Sequence, residues 1–343
     1  MSVQDLATTA QALVAKGKGI LAADESTGTI EKRLKSVNVA STEESRRAWR
    51  QLLFTAPGIG QFISGVILFD ETIRRRADNG TSLVEVLTSQ GVIPGIKVDK
   101  GAKALAGSPQ EMMTEGLDGL RERLAEYREL GAKFTKWRGV ITIGSGIPTP
   151  YCIDVNAHAL ARFAALSQEA GLVPIVEPEV LMDGDHDIDR CFEATEATLH
   201  GVFAELIEQG VGLEGMLLKP NMVLSGKDAA QRAGPEEVAD ATIRCLRRSV
   251  PSAVPGVVFL SGGQSDDEAT VNLDALNRRA GDAPWQLSFS YGRGLQATPL
   301  KTWAGDPGSV PRAQESFIHR AKVTSAARDG RYTPAMEQEA ARV

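Results

Sequence analysis

FTKWRGVI (134–141), VPIVEPEV (173–180) and GMLLKPN (215–221) are three short apolar runs, each breaking into charged or polar residues toward its carboxyl end. Strand side chains alternate, so residues i and i+2 share a face. Lys136 then shares a face with Arg138, Glu177 with Glu179, and Lys219 with Asn221. Five further runs extend the pattern in both directions: ILAADE (20–25), GVILFDE (65–71), GIKVDK (95–100), GVVFLSGG (256–263) and QLSFSYG (286–292). The eight recur every roughly 30 to 45 residues, the size of strand–helix units joined by crossover helices.

The segments between the runs read as helices. In EGLDGLRERLAEYRELG (115–131), Leu117, Leu120, Leu124 and Leu130 share one face, and Gly131 supplies a stop. Asp154 is expected to cap a helix ending near Gly171, and Asp266 one ending near Gly281, while Pro235 suits a first helical turn. The opening residues MSVQDLATTAQALVAKGKG (1–19) lack a signal peptide's apolar core. Val3, Leu6, Ala10, Leu13 and Val14 instead define an amphipathic helix.

Eight strand–helix units can close into a barrel or lie as an open doubly wound sheet. An open nucleotide-binding sheet needs G-x-G-x-x-G after its first strand. GKGILAADE (17–25) places its glycines before the strand and its carboxylates after, the wrong order. No Pro/Gly/Ser-rich linker divides the chain. The expectation is α/β: a single (β/α)8 TIM-barrel domain over 1–334, including an extra N-terminal helix, with a C-terminal tail over 335–343.

Composition narrows the function. The chain has 343 residues, 42% of them hydrophobic, enough for a large core. Its net charge is -6 without a basic block, so nothing favours nucleic acid or an anionic membrane. No apolar run approaches the ~18 residues of a membrane span. Cys152, Cys191 and Cys245 are far apart and read as reduced, buried thiols of a cytoplasmic protein. The four histidines, 158, 186, 200 and 319, have no metal-ligand spacing, so no metal site is expected.

Chemistry should lie at the strand ends, where barrel active sites form. Lys97 with Asp99 and Ser288 with Ser290 add two more polar pairs, and Asp24 ends the first run. Charges converging on one mouth are costly unless paired, which argues for acid/base work on a charged substrate. Lys219, between apolar residues and a proline, is the most suggestive single position. Desolvation and a neighbouring cation both favour a neutral, nucleophilic amine able to form an imine with a carbonyl. Lys136 stands two strands earlier and offers that cation. In SGGQS (261–265), small residues precede a helix start, where free backbone N–H groups and the helix dipole suit phosphate. SYGRG (290–294) adds Arg293, a bidentate phosphate partner.

The pieces GKGILAADESTGTIEKRL (17–34), GIKVDKG (95–101), AKFTKWRGVITIG (132–144), VPIVEPEVL (173–181), LLKPNMV (217–223), FLSGGQS (259–265), SFSYGRGLQA (288–297) and RYTP (331–334) stand in this order. Together they closely resemble class I fructose-bisphosphate aldolases over almost the whole chain. The resemblance implies reversible cleavage of fructose 1,6-bisphosphate to dihydroxyacetone phosphate and glyceraldehyde 3-phosphate, as in glycolysis and gluconeogenesis, without a cofactor. It makes Lys219 the Schiff-base lysine and Glu177 the acid/base that expels water from the carbinolamine. Glu179 would order the lysine network, Asp24 would contact the C4 hydroxyl, and Lys136 would keep Lys219 neutral. Arg138 and Lys97 would bind polar or phosphate groups. Ser261, Gly262, Ser290, Gly292 and Arg293 would hold one phosphate; Ser26, Thr29, Lys32 and Arg33 match the segment associated with the other. A homotetramer is implied as well.

Two rival readings stand beside it: an imine-forming aldolase for another phosphorylated sugar, and a catalytically silent sugar-phosphate-binding protein. The tail departs from the resemblance. Many relatives end in a tyrosine that assists proton exchange on the carbanion, whereas here the last tyrosine is Tyr332 and the chain ends PAMEQEAARV. Arg342 and Val343 cannot carry a phenolic proton, so the tail is expected to matter little for catalysis.

Overall fold

The computed structural model describes residues 3–338. Its strands are β1 (Gly19–Ala23), β2 (Ile63–Leu68), β3 (Ile93–Lys97), β4 (Ala102–Leu105), β5 (Ser108–Thr114), β6 (Phe134–Ile141), β7 (Val173–Val180), β8 (Leu217–Leu218), β9 (Gly256–Phe259) and β10 (Gln286–Tyr291). Eight of them close a parallel barrel in the order β1-β10-β9-β8-β7-β6-β3-β2. These are the eight runs read from the sequence. Helices alternate with them, as crossover connections between parallel strands require. The expectation missed β4 and β5, an antiparallel hairpin inserted after β3.

The lower barrel is a packed interior. Ile20, Ile67, Phe134, Ile175, Leu217 and Val258 meet there with Leu6, Ala10, Leu13 and Val14 of the N-terminal stretch. The helix Val3–Leu13 therefore plugs the amino end of the barrel. Glycine makes this approach possible: a Cβ on Gly65 would stand 2.6 Å from Leu13, and one on Gly256 2.6 Å from Val14. The plug is tied down at its end. Arg328 donates to Val14 O at 2.9 Å, just past the helix end, and to Lys18 O at 3.2 Å, in the turn that leads into β1.

Two expected caps move by a few residues. The helix Pro150–Glu169 starts at Thr149, whose side chain accepts from Cys152 N at 3.2 Å; Asp154 lies within the helix. The helix Asp266–Arg279 is capped by Ser265, which accepts from Glu268 N at 3.1 Å, one residue before the expected Asp266. Hydroxyls win because each completes a local loop to the third helical residue. Pro235 opens its helix as expected. Helix Leu120–Glu129 buries Leu120, Leu124 and Tyr127, while Leu117 and Leu130 flank it.

Beyond Tyr332 the chain makes one more helical turn, Ala335–Gln338, pinned by a Glu337–Arg320 ion pair. The remainder of the tail, 339–343, lies outside the described residues. Among the described residues, no helix is long and apolar enough to cross a membrane.

Candidate active site

Above the apolar plug, the inward side chains turn ionic. The parallel register sets Lys97 beside Lys136, Lys136 beside Ile175, and Arg138 beside Glu177. Ile175 pairs with Leu217, so Lys219 emerges on the inner face at the level of Glu177, and its backbone N–H donates to Val176 O at 2.8 Å. The strand ends line a cavity of about 1050 Å³ at the carboxyl mouth.

At its floor, Lys136 Nζ lies 2.8 Å from Asp24 Oδ2 and 2.8 Å from Glu177 Oε2. The other oxygen of Glu177 lies 3.1 Å from Lys219 Nζ. The four side chains form one chain of alternating charge, Asp24–Lys136–Glu177–Lys219, and all are buried. Burial alone would raise the pKa of Asp24, but Lys136 and Lys219 outweigh it and hold the carboxyl far below the usual range. Glu177 follows the same balance: desolvation pushes up, and Lys136, Lys219 and Arg138 pull further down. Lys136 is desolvated too, yet Asp24 and Glu177 raise its pKa, so it stands as a fixed cation.

The walls come next. Arg138 pairs with Glu179, and Lys97 with Asp99, whose Oδ2 also accepts from the backbone N–H of Arg138 at 3.2 Å. The hairpin missed from sequence buttresses this wall: Thr114 donates to Arg138 O at 2.7 Å. On the far side stand Ser261, Gly262, Ser290, Gly292 and Arg293. Ser290 Oγ is buried and finds no hydrogen-bond partner among the described residues. Arg293 donates to Gly262 O, bringing the two glycine loops together. Thr29, Lys32 and Arg33 of the helix Thr27–Lys35, and Ser26 just before it, line the same cavity.

All sixteen residues expected at the site line this one cavity. Two strand-end positions in the sequence pattern do not. Asn221 follows the two-residue strand β8, where alternation has ended, and its side chain turns back to accept from Val180 N at 2.9 Å and donate to Thr195 at 3.1 Å. Ser288 faces the barrel interior one layer too low and donates to Lys18 O at 2.8 Å. Glu25, overlooked in the sequence, also lines the cavity. Cys152, Cys191 and Cys245 are free, buried thiols; burial and Glu111 push Cys152 up to about 11.

Comparison with known proteins identifies the family and the fold. The family model for class-I fructose-bisphosphate aldolase matches residues 5–343. The chain is 56% identical over 333 residues to a probable fructose-bisphosphate aldolase class 1 of Xanthomonas axonopodis pv. citri, covering 97% of this chain and 99% of the relative. It is 54% identical over 316 residues to the cytosolic fructose-bisphosphate aldolase 4 of Arabidopsis thaliana, covering 92% and 80%. A solved Plasmodium falciparum fructose-bisphosphate aldolase, in a ternary complex with TRAP and a small-molecule inhibitor, shares 50% identity and superposes with a TM-score of 0.95 over 96% of each chain. A barrel carrying buried lysines and carboxylates at its mouth, and matched over its length by such relatives, belongs to the class-I fructose-bisphosphate aldolase family.

Proposed function

We propose that this fructose-bisphosphate aldolase works through an imine on Lys219. The observation that carries the reading is the Glu177 carboxylate, with Lys136 on one oxygen and Lys219 on the other. A proton passed from Lys219 Nζ to Glu177 Oε1, across 3.1 Å, creates a neutral amine and a carboxylic acid in one step. The amine adds to the C2 carbonyl of the sugar. The acid then protonates the departing hydroxyl, and water leaves as the protonated imine forms.

Cleavage of the C3–C4 bond sends its electron pair into that imine, which becomes an enamine. The C4 hydroxyl loses its proton to the Asp24 side of the site, and the aldehyde departs. Protonation at C3 and hydrolysis return dihydroxyacetone phosphate and free Lys219. Lys136 remains charged throughout and steadies both carboxylates, with desolvation strengthening each interaction. Glu179 holds Arg138, and Asp99 holds Lys97, to present cations to polar groups of the sugar. The phosphates are assigned to Ser261, Gly262, Ser290, Gly292 and Arg293 on one side, and to Ser26, Thr29, Lys32 and Arg33 on the other. A cytoplasmic setting is supported by the cytosolic plant relative, and a homotetramer follows from the family resemblance.

Borohydride reduction with dihydroxyacetone phosphate, followed by peptide mass mapping, tests the mechanism. Covalent labelling at Lys219 and full activity in EDTA are expected. Labelling only elsewhere, or loss of activity with the chelator, would overturn it. A strong preference for fructose 1-phosphate would favour the rival sugar-phosphate aldolase.

A further inference from the structure

Glu25 follows Asp24 at the end of β1, and its side chain is only 5% exposed. Its Oε1 pairs with Arg33 and accepts from Gln296 Nε2 at 2.9 Å, and its Oε2 pairs with Arg50. Gln296 is itself fixed. It donates to Ala22 O at 2.8 Å and accepts from Trp49 Nε1 at 3.1 Å and Arg50 Nη1 at 3.3 Å. One carboxylate thus joins β1 to the helices Thr27–Lys35, Glu43–Phe54 and Arg293–Trp303.

The charges in this cluster do not cancel. Two guanidinium cations share a single carboxylate, so one positive charge is left over. Arg50, at 3% exposure, is sealed in the protein, while Arg33, at 22%, lines the cavity. Arg33 Nη2 lies 3.7 Å from the point where a Cβ on Gly292 would stand. The surplus charge therefore faces the mouth beside the Gly292–Arg293 turn, although Arg33 belongs to the opposite segment.

We infer that Glu25 is a positioning residue for phosphate recognition, acting through Arg33 without touching substrate. It fixes the guanidinium at the mouth, between the Ser26–Arg33 segment and the Gly292–Arg293 turn, where it meets the phosphate assigned to Ser26, Thr29, Lys32 and Arg33. Lengthwise freedom of an arginine is large, and a buried charged partner removes it before substrate arrives. The inference rests on the reading that this mouth holds sugar phosphates and that Arg33 contacts one.

Steady-state kinetics on fructose 1,6-bisphosphate with Glu25→Asp, Arg33→Met and the double variant test it. Glu25→Asp keeps the negative charge that buried Arg50 needs, and thermal melting monitors its fold. It should raise KM about tenfold and change kcat by less than about threefold, the loss of one charge-assisted contact. Arg33→Met should raise KM at least as much, and the double variant no further. Unchanged KM in Glu25→Asp, or multiplied effects in the double variant, would overturn the inference. Unchanged KM in Arg33→Met would overturn the phosphate reading of Arg33 and the inference with it, whereas borohydride labelling of Lys219 tests the imine separately.

Discussion

Lys136 and Lys219 grip opposite oxygens of one carboxylate, that of Glu177, at 2.8 and 3.1 Å. Two cations held so close would repel strongly across a dry site without the charge between them. Glu177 therefore lets both lysines be buried, and on the proposed mechanism it also takes the proton from the Lys219 amine, 3.1 Å away.

Replacing Lys136 by Met keeps much of the volume and removes the charge. Asp24 and Glu177 both lose a cation that holds their pKa down, so both should titrate at higher pH. Imine formation should slow by about 10²-fold or more, and the acid limb of its pH–rate profile should move upward. Trapping rates with borohydride between pH 4 and 9 measure this. A profile unchanged in height and position would refute the coupling.

Asp24→Asn and Glu177→Gln should fail at different steps. Asp24 contacts Lys136 but is no partner of Lys219 in the ion-pair chain, so Asp24→Asn should still be labelled at Lys219 by dihydroxyacetone phosphate and borohydride. Its cleavage rate should fall by about 10²- to 10⁴-fold, the range for removing a positioned acid/base group. Glu177→Gln should slow labelling itself by a similar factor. Identical behaviour of the two variants in both assays would show that the division of roles is wrong.

Acid should weaken the fold through the same carboxylates. Their folded pKa values are lowered, so their stabilising contribution is complete above the ordinary values of 3.8 for Asp and 4.5 for Glu. It is lost as pH falls through the folded values. Melting temperature should therefore begin to drop below about pH 5 and keep falling below about pH 3, and more gently in Asp24→Asn than in the parent. Equal slopes would show that Asp24 contributes nothing to acid unfolding.

Much of this site was legible from sequence because barrel strands obey two simple constraints. Lys136 and Arg138, or Glu177 and Glu179, alternate with apolar neighbours, and nothing in a packed strand calls for charges there. The same alternation misled at Asn221, where the strand had already ended, and at Ser288, where face was right and height was wrong. Depth along a barrel depends on the stagger between strands, which no single run encodes. The hairpin Ala102–Thr114 escaped notice because it is half-exposed and lacks a clean polar–apolar alternation. Glu25 escaped for a different reason: its partners Arg33, Arg50 and Gln296 are 8, 25 and 271 residues away. In the run ILAADE it stood beside Asp24 with no role of its own.

The tail separates stability from catalysis. Arg320 is 5% exposed, pairs with Glu337 and donates to Thr270 at 2.8 Å. Thr270 belongs to the helix Asp266–Arg279, which follows the Ser261–Gly262 loop, so the described part of the tail, up to Gln338, is anchored behind that loop rather than across the cavity. Deleting residues 335–343 removes Glu337, the carboxylate against the buried Arg320 guanidinium, and leaves it the exposed Asp267 carboxylate at 3.9 Å, the neighbouring Asp266 and the Thr270 hydroxyl. The loss should cost about 1 to 3 kcal/mol, the penalty for stranding a buried polar group, and lower the melting temperature by several degrees. Bisphosphate cleavage and proton exchange on dihydroxyacetone phosphate should fall only modestly below the melting range. The last tyrosine, Tyr332, is retained in the truncated chain, and its backbone N–H stays on Asp274 at 2.8 Å. Glu337→Gln provides the finer comparison, since it removes the charge and keeps the chain. If truncation abolished exchange while imine trapping and the melting temperature stayed at parental values, the tail would be a proton carrier and its anchoring role would be wrong.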